Sequence, residues 1–374
     1  MQYRLSEHIL AGFATLALVT AAPTNSVAPS PAQLAQYHQR GENDYSLPAH
    51  NIHNSTLQIR AGYAPSAPQS HYTTAIIGNQ LLNVFVDTGS NIFWCYNDKL
   101  PSDQLGNHVP YRPGQSPTSS QTSLTYKIDY LDGTGSSGNI WKEEVSCGSY
   151  IVNPFEIGLP TNVRGQYQDS MTCIMGLSYY ANPNQPYDVT FFGAILPQLS
   201  SPVFTVDIDD GREGSFNFGY IDNSLYAGNI QWASVTDDNS WQFELTGFAI
   251  NDNWNIQSTS VHVIADTGTG GISLPASIVD NYFGQVQGAQ LVNGGWQFPC
   301  DATLPPLHLL FNNNQGSLTV AGDKIHGGGS GTCGSNMDRA GNNILGDAML
   351  RSNFVVFDNG RRIGFAQKSN TNGE

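Results

Sequence analysis

Two stretches of this chain are built to hold carboxyl groups. Residues 84–90 read VFVDTGS and residues 263–269 read VIADTGT. In each, apolar β-forming residues run into Asp-Thr-Gly and then a hydroxyl residue. One Asp-Thr-Gly is an ordinary turn after a strand. Two of them, 179 residues apart, make a repeat. There is a second matched pair: CIMGL at 173–177 and NILGD at 343–347, with Gly176 89 residues after Asp87 and Gly346 80 after Asp266. Matched halves predict two lobes with pseudo-twofold symmetry, and the axis would bring Asp87 and Asp266 face to face. Facing carboxyls cannot both ionise cheaply, so they share a proton and titrate apart. The ionised one takes a proton from water while the protonated one donates to a substrate carbonyl. Gly89 and Gly268 let the backbone turn tightly behind each carboxyl. The hydroxyls of Thr88, Ser90, Thr267 and Thr269 supply hydrogen bonds to lock the arrangement.

Strands must position these residues. The run HYTTAIIGNQLLNVFVDTG gives two β-rich segments around Gly78-Asn79. SQTSLTYKIDYL and NIWKEEVS flank GTGSSG at 133–138. That hexapeptide fits G-x-G-x-x-G, the spacing of a dinucleotide loop. Such a loop must follow a strand and open a helix, so that phosphate meets the helix N-terminus. Here a β-like run comes next, so the stretch reads as the tip of a β-hairpin. GSFNFGYIDNSLYAGNIQWASV and SWQFELTGFAIND alternate aromatic and polar residues. Helical stretches are short: about Pro275–Val286, Gly346–Asn353 and Thr190–Leu199. The fold class is mainly β.

Composition narrows the function. Among 374 residues only 12% are charged, and 39 Gly and 20 Pro supply many turns. Net charge is −15 with only 15 Lys and Arg, and no basic cluster exists to bind nucleic acid or an anionic membrane. The acidic balance suits work in acid, where protonation relieves self-repulsion. Residues 1–22 read as a signal peptide: Arg4, an apolar stretch from Ile9 to Val19, then small residues. Residues 23–55, rich in Pro, Ala, Gln and His, read as a propeptide. The destination is secretion, with a vacuole-like compartment as the other outcome. His50 and His53 lack Cys or carboxylate partners at ligand spacing, so no metal is expected. His262 and His308 likewise have no ligand spacing. Asn54 opens the sequon Asn-Ser-Thr. Five cysteines leave at least one of Cys95, Cys147 and Cys173 free or paired outside the chain, if Cys300 and Cys333 join. Cys147 with Cys173 is a candidate pair.

The stretches FVDTGSNIFW, IDYLDGTGSSGNI, IADTGTGGISLPASIVDNYFGQVQGAQ and NILGDAMLRSNFVVFDNGRRIGFA carry a family resemblance. From about Tyr72 to Gln367 the chain resembles the pepsin-like aspartic endopeptidases, in the style of the fungal secreted enzymes. The resemblance implies a bilobal pepsin-like fold with a cleft between two β lobes, here 56–200 and 201–374. It implies peptide-bond hydrolysis at acid pH by a monomer, with polypeptide substrates and no cofactor. The catalytic pair falls on Asp87 and Asp266. The flap that closes over the substrate falls on the glycine hairpin, with Tyr130 as its tyrosine, Trp94 as the indole partner, and Gly133 and Thr134 at its tip. Asp132 matches an acidic flap residue that favours a basic substrate side chain. Cys300 with Cys333 matches the family disulfide of the second lobe.

Departures from the family pattern are specific. Leu131 stands where glycine follows the flap tyrosine, and Gly270 where a hydroxyl residue is usual. Thr172-Cys173 replaces Asp-Gly, and the first turn is shortened to GNQ at 78–80. The leader has no Lys, leaving Arg40 or Arg60 to face an acidic cleft. Two other readings compete. A binding protein on the same fold would have lost part of the aspartate machinery, yet both aspartates and all four hydroxyls are present. A glycosidase also uses two carboxylates, but does not call for matched Asp-Thr-Gly halves. No G-x-S-x-G serine motif occurs.

Overall fold

Alternating strands and tight turns from Tyr72 onward fold as the pattern predicts. The computed structural model describes residues 55–64, 67–165, 167, 171–179, 189–209, 214–339 and 341–369. Residues 1–54, with the expected signal peptide, all of the expected leader except Ser55, and both leader histidines, lie outside the described residues. Strands Ala67–Ile77 and Gln80–Asp87 form an antiparallel hairpin with Ile77 opposite Gln80. Gly78 and Asn79 both take positive φ, 49° and 70°. Two such residues suit a tight hairpin turn whose twist matches the strands. Gly78 is also required by space, since a Cβ there would collide with the Ser116 side chain and stand 2.7 Å from Glu143 Oε2. The shortened turn thus packs against its neighbour.

Glu143 is fully buried on the strand Gly135–Cys147. Its carboxyl accepts hydrogen bonds from the hydroxyls of Tyr111, Ser116 and Thr118 and from Glu144 N. Buried carboxylates are tolerated only when satisfied in this way. The network pins residues 111–118 to the root of the glycine-tipped hairpin.

Each half contains the same strand weave. Gln80–Asp87 runs parallel to Cys173–Gly176, which pairs antiparallel with Trp94–Cys95, which runs parallel to Tyr150–Arg164. In the second half Gln257–Ala265 runs parallel to Ile344–Leu345. That segment pairs antiparallel with Ile272–Leu274, which runs parallel to Met337–Arg339. The first weave lies in a thirteen-stranded sheet and the second in a seven-stranded one. The larger sheet also takes in Val203–Asp207, Gly214–Phe218, Asn353–Asp358 and Arg362–Lys368, reached through Ser55–Ala64. This layer uses the first and last of the described strands and belongs to neither half alone.

Phe204, Phe216, Phe218, Trp241 and Phe357 are all fully buried in this region. Phe204 stacks on Phe357 at 4.5 Å between ring centroids. Burying each phenyl ring contributes roughly 1.5–3 kcal/mol. Helices occur where expected but are shorter: Ala276–Phe283, Asp347–Ser352, and Phe191–Ile195 followed by a 3-10 turn at Leu196–Gln198. Ile278, Val279, Tyr282 and Phe283 put one face of the first into the core. Thr190 caps the third by accepting from Gly193 N.

The cysteine expectation needs correction. Cys300 and Cys333 form a disulfide, but Cys173 joins Cys95, and Cys147 is a buried free thiol. Strand register decides the matter. Cys95 lies directly opposite Cys173 in an antiparallel pair, with Cα atoms 4.0 Å apart. Cys147 ends the strand Gly135–Cys147 opposite Tyr150, with its Sγ near Thr74 O. Closing the 78-residue loop between Cys95 and Cys173 contributes about 4–5 kcal/mol in the chain-entropy model. Burial pushes the Cys147 thiol up to about 12. Thiol titration of native protein is therefore expected to find no reactive group at residue 147, and denaturant should expose it. The double variant Cys95→Ser, Cys173→Ser should lower the denaturant midpoint while Cys147→Ala changes it far less.

Candidate active site

Asp87 closes the strand Gln80–Asp87, and Asp266 directly follows Gln257–Ala265. The neighbouring segments end in Gly176 and Gly346, where side chains are excluded. A Cβ on Gly176 would stand 2.6 Å from Ile92 N, and one on Gly346 would run into Thr269 and Gly271 carbonyl oxygens. The backbone therefore threads close behind each Asp-Thr-Gly loop. Leu177 N donates to Asp87 O at 2.7 Å, and Asp266 N to Leu345 O at 3.1 Å.

The two loops meet tip to tip. Thr88 N donates to Thr267 Oγ1, and Thr267 N to Thr88 Oγ1, each at 3.0 Å. Each hydroxyl then donates onward across the seam: Thr88 Oγ1 to Ala265 O at 2.9 Å and Thr267 Oγ1 to Val86 O at 2.7 Å. All four bonds are buried, where an unpaired partner is most costly. The carboxyls are held alike. Asp87 accepts from Gly89 N at 2.9 Å and from Ser90 Oγ. Asp266 accepts from Gly268 N at 2.7 Å and from Thr269 Oγ1 at 2.6 Å. A Cβ on Gly89 would lie 2.5 Å from the Asp266 carboxyl, and one on Gly268 2.6 Å from Asp87 Oδ1. Both glycines thus make room for the opposite carboxyl.

The geometry sets the electrostatics. Asp87 is 2% and Asp266 0% exposed. Burial, then the charge of Asp266, holds the Asp87 carboxyl well above the usual carboxylate range. Burial raises Asp266 as well, opposed by the Thr269 hydroxyl and Gly268 N–H and by a hydrogen bond from Asp87. Both carboxyls are raised, and the pair titrates as one unit that holds a proton between them.

The hairpin Ser120–Asp129 with Gly135–Cys147 turns at residues 130–134. Tyr130 is buried, and its hydroxyl accepts from Trp94 Nε1 at 2.7 Å. The charge of Asp87 is one of the effects that raise its phenol, after burial and Tyr167. Gly133 takes φ +85°, and Asp132 Oδ1 accepts from Thr134 N at 2.8 Å to close the turn. Leu131 stands exposed at the tip.

Sequence patterns do not single out several neighbours. Arg164 straps the turn: its Nε donates to Gly133 O at 2.7 Å, and its Nη2 to Asp129 Oδ1 at 2.6 Å. It is the only basic residue between Lys142 and Arg212, which is a usable hint. Tyr167 packs edge-on against Trp94 and Tyr130, at 5.6 and 6.0 Å between centroids. Asp347, buried and paired to Arg351 at 2.9 Å, adds to the field that raises Asp266. Trp241 bridges the seam by donating Nε1 to Leu177 O at 2.8 Å. Asn54 lies outside the described residues.

Two β weaves joined at facing carboxyls define an aspartic peptidase class, and comparison with known proteins agrees. The eukaryotic aspartyl protease family matches residues 71–368. Penicillopepsin-3 of Penicillium janthinellum is 34% identical, over 86% of this chain and 84% of its own. Endothiapepsin of Cryphonectria parasitica is 34% identical over 85% and 81%, and aspergillopepsin-1 of Aspergillus clavatus 31% over 96% and 97%. The chain belongs to the eukaryotic aspartyl protease family and is a hydrolase of peptide bonds.

Thr267→Val removes one donor and one acceptor from the seam and leaves Thr88 N and Val86 O unpaired. A loss of about 2–5 kcal/mol is expected by urea unfolding. Asp87→Asn tests the buried charge. A carboxyl raised on folding gives stability that is full below its unfolded pKa of about 3.9 and is lost as pH rises through the folded value. The variant should therefore gain on wild type in urea midpoint as pH climbs above about 4.

Proposed function

We propose that Asp87 and Asp266 are the catalytic pair of a secreted, monomeric acid endopeptidase. The reciprocal threonine bonds carry this reading, because they fix two buried carboxyls that share one proton. In the forward step Asp266 takes a proton from a water molecule, whose oxygen attacks the peptide carbonyl carbon. Asp87 gives its proton to the carbonyl oxygen, leaving a neutral tetrahedral diol. Collapse returns a proton from one diol hydroxyl to Asp87, Asp266 passes its proton to the leaving nitrogen, and the C–N bond breaks. No covalent enzyme intermediate forms.

Tyr130 and the flap hairpin close over the peptide and exclude bulk water, with Trp94 and Arg164 keeping the hairpin in line. Trp94, Tyr130, Gly133 and Thr134 then face the substrate backbone, and Asp132 favours a basic substrate residue. Leu131 gives the flap tip a bulkier apolar contact than glycine would. No helix among the described residues is long and apolar enough to cross a membrane. With the apolar segment after Arg4, this supports export. The leader would serve as a propeptide, with Arg40 or Arg60 facing the acidic cleft, and Asn54 would be a glycosylation site.

Hydrolysis of an unfolded protein from about pH 2 to 7 tests the assignment. Activity should fall at low pH as both carboxyls become protonated, and at high pH as the shared proton leaves Asp87. Asp87→Asn and Asp266→Asn should each lose at least about 10²–10⁴-fold. Comparable cleavage by either variant would overturn the pairing. A processed, folded wild type that cleaves nothing at any pH would leave a peptide-binding cleft instead.

A further inference from the structure

The turn of the flap hairpin is held from outside the hairpin. Asp129 lies opposite Gly135, and Gly135 lies opposite Arg164, so the three residues form one row across three strands. Opposed residues share a face of the sheet, and Asp129 and Arg164 stand two strand spacings, roughly 10 Å, apart at the backbone. An ion pair across that distance needs an empty middle position. Gly135 supplies it: a Cβ there would stand 3.0 Å from Arg164 Nη2 and 3.3 Å from Asp129 Oδ1.

The guanidinium passes over Gly135 and meets three acceptors. Nη2 donates to Asp129 Oδ1 at 2.6 Å and more weakly to Thr134 O at 3.4 Å, and Nε donates to Gly133 O at 2.7 Å. Asp129 is the last residue of the strand that enters the turn, and Gly133 and Thr134 directly precede the strand that leaves it. One side chain therefore spans the turn from entry to exit. Lysine could reach the carboxylate, but only a planar guanidinium offers several donors in one fork. The base of the bridge is fixed as well. Val163 N donates to Gln104 Oε1 at 2.7 Å, on the helix Ser102–Leu105. Gly165 takes φ +92°, and a Cβ on it would stand 2.4 Å from Thr134 Cγ2, so the backbone beside Arg164 also approaches the turn closely. This hold is distinct from the one that Trp94 gives. Trp94 Nε1 meets the Tyr130 hydroxyl, whereas Arg164 meets backbone carbonyls on the other limb of the turn.

The charged groups facing Asp129 are Lys127 on its own strand, 2.7 Å from Oδ2, and Arg164. Tyr167 and Asp132 complete the local set, since the Tyr167 phenol, raised chiefly by burial, feels both Asp132 and Arg164. The bonds from Lys127 and then Arg164 hold the Asp129 carboxyl below its ordinary value of 3.8. A depressed carboxyl keeps its charge, and the bridge with it, until pH falls through that lowered value. The Asp87–Asp266 pair is shifted the other way, both groups being raised. The bridge thus remains charged at pH values where the pair has begun to take up protons.

We propose that Arg164 is a positioning residue of the flap: by bridging Asp129 at the entry of the turn to Gly133 O at its exit, it sets the turn in place before a peptide arrives. The proposal rests on the peptidase reading above. Arg164 acts not on the carboxyl pair but through the turn that carries Tyr130, Asp132 and Thr134. Its contribution is to peptide binding, because a turn that is already ordered has less freedom to lose when substrate docks.

The test uses one cleaved peptide and five variants. These are Arg164→Met, Arg164→Lys, Asp129→Asn, the double variant Asp129→Asn, Arg164→Met, and Lys127→Gln, whose side chain meets the other carboxyl oxygen and not the turn. Arg164→Met should raise KM about three- to tenfold with kcat nearly unchanged, the pattern of lost binding rather than lost chemistry. Arg164→Lys should recover part of the loss, and Lys127→Gln should stay near wild type. The double variant should be no worse than Arg164→Met alone, because both changes break one bridge. The KM advantage of wild type over Asp129→Asn should hold from about pH 4 to 6 and shrink at lower pH. Hydrogen exchange needs no substrate. In Arg164→Met it should quicken at the Tyr130, Gly133 and Thr134 amides, all bonded within the turn, and stay unchanged in the strands of the second half. An unchanged KM together with unchanged exchange at the turn overturns the proposal. So does quicker exchange throughout the chain with a fall in kcat, which marks a general loss of stability. A Lys127→Gln effect as large as that of Arg164→Met overturns it too, since charge on the strand and not the bridge would then be responsible. A wild type that cleaves no peptide removes the peptidase reading, while the exchange result still decides whether Arg164 holds the turn.

Discussion

Two carboxyl groups face each other with almost no access to water, and the rest of the molecule exists to keep them there. Ionising both would place like charges together in a medium that screens poorly. One proton shared between them relieves the repulsion but demands that neither group move. The Thr88 and Thr267 loops meet this demand with four buried bonds, each half closing on backbone atoms of the other. The threading segments behind them press the backbone into place at Gly176 and Gly346, where any side chain would collide. Preorganisation of this kind is the expected source of catalytic power, because fixed dipoles need not rearrange during the reaction.

The constraint extends outward through a short line of hydrogen bonds. Asp87 O accepts from Leu177 N, Leu177 O accepts from Trp241 Nε1, and Trp241 O accepts from Ala265 N beside Asp266. The line starts at one carboxyl and ends next to the other, so a shift of either half is felt at both. The Cys95–Cys173 disulfide adds a covalent link in the same place, joining the strand of Trp94 to the segment that ends in Gly176. It also gives a reason for Cys173 at a position where the family uses glycine.

Much of this is legible in the sequence. The two Asp-Thr-Gly loops and the two apolar-apolar-Gly segments announce a repeat, and their geometry matches it residue by residue. The β-like run NIWKEEV after the glycine hairpin sets that hairpin apart from a nucleotide loop. Other features are not legible, for definite reasons. Cysteine spacing carries no information about strand register, so it offers Cys147 as a partner for Cys173 where the sheet in fact opposes Cys95. Arg164 and Tyr167 reach the hairpin turn from residues with no periodic signal, through contacts that only tertiary packing creates. The helices Ser102–Leu105 and Gly322–Ile325 are four residues each, too short for any periodicity to show.

The glycines beside the aspartates have a wider consequence. Gly89 makes room for a carboxyl 177 residues further along the chain, and Gly268 returns the favour. A substitution in one loop is thus felt first by the side chain of the other. Elsewhere the halves have room to drift: Trp94, seven residues after Asp87, lies opposite Ile174 and Gly158, whereas Ser273, seven after Asp266, lies opposite Ile344 and Asp338. At the seam they behave as one inheritance held in common, and the freedom of a duplicated chain to specialise begins only a few residues away from it.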